Sequence, residues 1–231
     1  MTTRRFLLLT TVPLLGQTPG DLLGRIGIGK KNGGKVADGL KEALRVGTEN
    51  ALKLTGRPDG YFANQAIRIL LPAPLRKIEK GLRVAGMGSK LDELVLGMNR
   101  AAEAAAPFAR DIFGKAIRQM TFADAQKIFR GTDTAATDYF REKTTPELTV
   151  LFKPPVSKVM GEVGVTQQFQ GMTAQIARLP FLKMEKFDLT DYVVDRSLFG
   201  LFHVLGQEET KIRKDPAARV TSILKDVFGS R

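Results

Sequence analysis

Apolar residues recur every three or four positions along most of this 231-residue chain, the period of an α-helix rather than of a strand. The longest example is Leu91, Leu94, Met98, Ala102, Ala105, Phe108, Ile112 and Ala116, a stripe whose Ala-rich middle suits close helix approach. Pro107 lies inside it. A Pro there lacks an N–H and crowds the preceding turn, so the stripe is expected to kink or divide. Before it, Val36, Leu40, Leu44, Thr48 and Leu52 step by four up to Gly56 and Pro58. Between Pro74 and Gly86, Leu75, Ile78, Leu82 and Ala85 share one helical face.

Helix signals continue to the C-terminus. Thr121 to Asp124 has the form of a capping box opening a helix over Phe122 to Phe129, closed by Gly131. Thr132 or Asp133 is expected to cap a helix reaching Lys143, and Thr145-Pro146 to open another. Pro154-Pro155 is expected to break that helix before a further one reaching Gly161 or Gly164. A helix over Gln167 to Leu179 precedes one opened by Asp188, with Val194, Leu198, Leu201, Phe202 and Leu205 on its apolar face. Asp215-Pro216 is expected to end that helix and start the last, which buries Val220, Ile223, Leu224 and Val227. Only residues 67–71 read as a short extended segment. The fold class expected is therefore all-α: one bundle of roughly eight to ten helices.

Composition narrows the chemistry. The chain has no Cys, no Trp and one His, so thiolate metal sites, thiol nucleophiles and disulfides are excluded, and His-rich metal sites are disfavoured. Its net charge is +12, of which +7 falls between residues 21 and 100. Arg4 and Arg5 precede an apolar run from Phe6 to Leu15, the pattern of a secretory signal, and residues 1–17 are read as such. That run is too short to span a bilayer, and no later stretch is longer. Residues 18–35 are read as a Gly- and Lys-rich linker, and 36–229 as the helical domain. Export to the periplasm or cell envelope follows, by either the general or the twin-arginine route.

Gly39-Leu40-Lys41-Glu42-Ala43-Leu44, Ile69-Leu70-Leu71-Pro72, Met98-Asn99-Arg100-Ala101-Ala102-Glu103, Ala135-Ala136-Thr137-Asp138-Tyr139-Phe140-Arg141 and Ile212-Arg213-Lys214-Asp215-Pro216-Ala217-Ala218-Arg219 occur in that order. Through these segments the chain resembles the bacterial family named domain of unknown function 4197. The resemblance covers residues 36–229 and implies an exported, helical, single-domain protein. It brings no catalytic residue with it.

Several constellations have spacings that chemistry could use. Gly24 to Lys31 approaches the spacing of a phosphate loop, but Lys31 stands where a hydroxyl must hold Mg²⁺. Ser222 and Lys225 match an S-x-x-K spacing with no companion motif. Asp188, Asp191 and Asp195 suit a helix N-terminus better than a cation, and His203 belongs beside an apolar face. No metal or other cofactor is expected. Asn99, Arg100 and Glu103 lie on an otherwise Ala- and Met-rich helix, and read as a buried polar network with Glu208, Glu209, Arg213 and Arg219.

The basic face of Arg76, Lys77, Lys80 and Arg83, with Arg68 nearby, fits an anionic partner: lipid headgroups, an acidic envelope polymer or an acidic protein. Aromatic rings are not interleaved with these cations, which argues against nucleic acid. The functional expectation is a non-enzymatic envelope binding protein that takes an anionic surface, an apolar ligand or a protein. One rival is a hydrolase or other carboxylate-dependent enzyme built on Glu103, Glu208 and Glu209, which requires those carboxylates to converge in an open cleft. A structural oligomer subunit is another, recognised by an exposed apolar helix face.

Overall fold

Pro107 divides the long apolar stripe as its chemistry requires. In the computed structural model α3 (Gly88–Ala105) passes into one tight 3₁₀ turn, Ala106–Phe108, and continues as α4 (Ala109–Gln119). The structure describes the backbone of residues 19–176 and 187–228, and the side chains of 34–176 and 187–226. The signal expected over 1–17 lies outside the described residues.

The remaining helices are α1 (Pro19–Thr55), α2 (Ala73–Leu82), α5 (Phe122–Arg130), α6 (Ala135–Glu162), α7 (Val165–Ile176), α8 (Leu189–Lys214) and α9 (Ser222–Phe228). No strand occurs among the described residues: 68–72 is irregular backbone before α2. The α1 backbone begins at Pro19, inside the segment whose composition reads as a linker, and it includes Gly24 to Lys31. The backbone over 19–35 is therefore helical; Gly weakens a helix by only about 1 kcal/mol each and, unlike Pro, does not block it.

Helix α8 is the centre. Val193, Val194, Leu198, Leu201, Phe202, Val204 and Leu205 are all buried, so its apolar surface extends well beyond a single stripe, as a helix covered on several sides needs. It packs against α1 and α6, and α6 in turn packs on α3 and α4. Phe113 of α4 joins these layers, with ring centroids 5.1 Å from Phe140 of α6 and 6.1 Å from Phe202 of α8.

Helix α6 corrects two sequence expectations. It runs unbroken through Pro146, Pro154 and Pro155. Its buried residues Ala136, Phe140, Thr144, Leu148, Phe152, Val156 and Met160 are spaced by four. At about 100° per residue, each step advances about 40° round the axis, so the stripe winds about the helix and meets different neighbours along its length. The prolines stay off that stripe. Pro146 and Pro154 are exposed and Pro155 is half-buried, and Glu142 and Val150, whose carbonyls Pro146 and Pro154 leave without an intrahelical bond, are exposed residues as well. Thr144, Thr145 and Thr149 hydroxyls donate to the carbonyls four residues back at 2.7, 2.6 and 2.8 Å, a contact that bends helices and eases Pro into them.

The other correction concerns the α6 start. Thr134 occupies the cap position, without a side-chain bond, in place of Thr132 or Asp133. The cap comes from a distant carboxylate described below. Local caps, by contrast, form where expected. Thr121 and Asp124 complete a capping box, and Asp188 accepts from the Asp191 N–H at 3.0 Å. Asp215 accepts from Ala217 N–H at 2.8 Å, but the turn it starts is a single 3₁₀ turn, Pro216–Ala218, with α9 opening later at Ser222.

Candidate functional site

The polar residues expected to form one network form two, each with its own task. In the first, Asn99 and Glu103 lie one turn apart on α3 and face the connection between α1 and α2. Asn99 accepts from the Ile69 N–H at 2.8 Å and donates to the Ile69 carbonyl at 2.9 Å, and its amide also donates to the Val95 carbonyl at 2.7 Å. One side chain thus gives residue 69 the two bonds a neighbouring strand would give, while lying fully buried itself. Glu103 accepts from the N–H groups of Tyr61 and Phe62, both at 3.1 Å, and from Arg100 at 2.7 Å. Arg100 extends outward to Asp59 at 2.7 Å, and the two carboxylates raise its pKa.

Tyr61, absent from the sequence candidates, completes this clamp. Its hydroxyl donates to the Ser197 carbonyl at 2.6 Å, and its ring lies against Gly200, where a Cβ would collide with it. Burial pushes its hydroxyl well above the usual phenol range, and Glu103 adds to that. Tyr192 of α8 donates to the Leu70 carbonyl at 2.9 Å. Segment 59–70 is thereby fastened to α3 and α8.

In the second network Glu209 supplies the missing cap of α6. Its oxygens accept from Ala136 N–H at 3.0 Å, Thr137 N–H at 2.8 Å and the Thr137 hydroxyl at 2.9 Å. Arg213 holds the same carboxylate at 2.8 Å and donates to the Ile128 carbonyl of α5 at 3.0 Å. Arg219 donates to the Ile212 and Arg213 carbonyls, closing the end of α8. Glu208 accepts from Asn50 of α1 at 3.0 Å and from Lys211. The three glutamates do not converge: Glu103 serves the α1–α2 connection, and Glu208 and Glu209 serve α1 and α6, with both oxygens of each engaged. A convergent carboxylate cleft is not what these residues build.

The basic face of α2 is different, because part of it makes no ion pair among the described residues. Leu75 and Leu82 are buried, which turns Arg76, Lys77 and Lys80 to solvent without an ion-pair partner among the described residues. Arg83 is committed, at 2.9 Å to Glu79 and 2.7 Å to Asp92, and its guanidinium holds the Asp92 carboxyl below the usual range. Arg68 lies with its guanidinium 4.2 Å from the Phe62 ring centroid. Among the described residues, the cations of the α2 face without an ion pair are thus Arg76, Lys77 and Lys80. Beyond them the chain makes a single wide turn, Arg83–Met87, with Gly86 at φ 82°. Ala85, expected on the buried face, is exposed there because the helix repeat has already changed. Val84 is 91 % exposed. Its signal was present in the sequence, as the one large apolar side chain at the position following Lys77 and Lys80 on the polar face.

Other candidates are occupied structurally. Asp191 pairs with Lys153 and Asp195 with Arg196, each at 2.7 Å, and Asp188 is a cap. No group of acids or His suited to a metal ion occurs among the described residues. His203 stacks on Phe199 and meets Gln207 at 3.2 Å. Ser222 and Lys225 are both exposed on α9. No helix among the described residues is long and apolar enough to cross a membrane.

A family model described as protein of unknown function (DUF4197) matches residues 31–229. The chain belongs to this family. The DUF4197 match takes in both networks and the whole of α2, so the clamp, the capping carboxylate and the basic face all lie within the family domain. No curated protein and no solved structure matches the chain.

Proposed function

We propose that this DUF4197 protein is an exported, non-enzymatic binding protein of the cell envelope that meets an anionic surface through α2. One observation carries the reading: Arg76, Lys77 and Lys80 are exposed together on a face whose opposite side is anchored in the core, and no carboxylate among the described residues pairs with them. Charges left unpaired on a rigid element are available to a partner, and each Lys or Arg brought to an anionic surface strengthens binding about fivefold. The commitment of Glu103 and Glu209 to backbone N–H groups and arginines, and of Glu208 to the Asn50 amide and Lys211, supports binding over carboxylate chemistry. Export is supported by Arg4, Arg5 and the apolar run after them.

Co-sedimentation with phosphatidylglycerol-containing and purely zwitterionic vesicles tests this. The wild-type chain is compared with the triple variant Arg76→Gln, Lys77→Gln, Lys80→Gln. Both carry the same N-terminal segment, so their difference reports α2 alone. Loss of about a hundredfold in affinity for the anionic vesicles is expected of the variant. Equal recovery of both chains removes the reading.

A further inference from the structure

The turn that ends α2 narrows the partner, given the anionic-surface reading above. Val84, Ala85 and Gly86 are all exposed, and nothing lies within 4 Å of the position a Cβ would take at Gly86, so the turn stands clear of the body. Gly86 adopts a left-handed conformation that side-chain-bearing residues rarely take, and this lets α2 end in so short a turn before α3. Lys77 and Lys80 are exposed on α2, and Val84 is exposed in the wide turn into which α2 runs. Lys90, in the first turn of α3, is exposed on the far side of the turn. The exposed turn carrying Val84 thus lies between Arg76, Lys77 and Lys80 on α2 and Lys90 on α3, none of which has an ion-pair partner among the described residues.

We propose that the partner is an anionic lipid bilayer, with Arg76, Lys77, Lys80 and Lys90 over the headgroups and Val84 inserted at the headgroup–acyl boundary. The two kinds of side chain together decide between occupants. An acidic polymer neutralises the cations but leaves Val84 in water. An anionic bilayer provides, within about 5–10 Å of depth, charge for the cations and hydrocarbon for Val84. An acidic protein would have to place an apolar pocket beside its acids.

Because the chain has no Trp, Val84→Trp creates a single tryptophan, excited apart from the three Tyr, at a site so exposed that the larger ring needs no repacking. With vesicles of phosphatidylglycerol and phosphatidylcholine, its emission is expected to move to shorter wavelength and to be quenched by brominated acyl chains. A Val150→Trp chain, with its reporter on α6 at a position 72 % exposed, is expected to be quenched less. Val84→Ser is expected to weaken binding about tenfold by removing the inserted apolar surface. Vesicle binding with unchanged, unquenched emission, together with full affinity of Val84→Ser, overturns insertion and leaves the anionic-surface reading standing. Absence of any α2-dependent binding to anionic vesicles overturns both.

Discussion

Glu209→Gln isolates the carboxylate that replaces a local cap at the start of α6. In the folded protein its two oxygens receive Ala136 N–H, Thr137 N–H, the Thr137 hydroxyl and the Arg213 guanidinium, all between 2.8 and 3.0 Å. The side chains of Glu209 and Arg213 are 8 % and 4 % exposed, so solvent screens the pair little. Gln keeps the shape and one acceptor. It turns an N–H₂ group toward donors and leaves the Arg213 charge uncompensated in the core. Breaking a buried pair in this way costs about 3–5 kcal/mol, a large share of the roughly 5–15 kcal/mol that holds a domain folded. Urea unfolding followed by far-UV circular dichroism reads it: with a slope of about 2–3 kcal/mol per molar, the midpoint is expected to fall by about 1–2.5 M. Adding Arg213→Met removes the stranded charge, so the double variant is expected to recover part of that loss, a coupling that a double-mutant cycle measures directly. A Glu209→Gln midpoint within about 0.3 M of wild type, or strictly additive effects of the two changes, refutes the assignment of Glu209 as a buried, charge-paired cap.

Asn99→Ala strands the buried Ile69 N–H and C=O, and a loss of about 2–4 kcal/mol is expected by the same unfolding assay. Asn99→Asp is expected to do no better, since its carboxylate faces the carbonyls of Ile69 and Val95. Gly200→Ala forces a methyl into the Tyr61 ring, and overpacking of this kind is expected to cost about 1–3 kcal/mol. The pH dependence has a definite sign. Burial raises the folded-state pKa of Tyr61 above the unfolded value, so its neutral hydroxyl contributes stability that is fully present below about pH 10 and lost as pH rises beyond it. Tyr139 and Tyr192 are shifted in the same direction by burial and share the alkaline loss. Tyr61→Phe is expected to flatten that loss in unfolding curves between neutral and alkaline pH, and an unchanged slope contradicts the buried hydroxyl.

Legibility in the sequence follows the range of the interaction. The Thr121–Asp124 capping box, the Asp188 cap and the division at Pro107 are local, and the spacing of a few residues contains all their physics. The α6 cap is not local: Glu209 lies 73 positions from Ala136, so the nearer Thr132 and Asp133 looked sufficient. The prolines of α6 do not break it as their local chemistry predicts, because tolerance of Pro depends on where the packed helix places the carbonyl it frees, and Glu142 and Val150 are on its exposed side. Asn99 and Glu103 stood out as polar residues on an apolar helix. Their targets did not, because backbone groups of residues 61, 62 and 69 carry no side-chain signature. The basic face of α2 was legible from helical spacing, whereas its division into free and committed cations depends on the turn at Arg83–Met87 that brings Asp92 back to Arg83.

The measurement closest to the central claim is the affinity of the purified chain for vesicles as the phosphatidylglycerol fraction is raised at constant ionic strength, with the Arg76, Lys77, Lys80 triple Gln variant in parallel. A wild-type affinity that climbs steeply with anionic fraction, and falls when salt is added, against a much shallower rise for the variant is the result expected of a surface whose free cations meet lipid phosphate. Identical curves for the two chains contradict it.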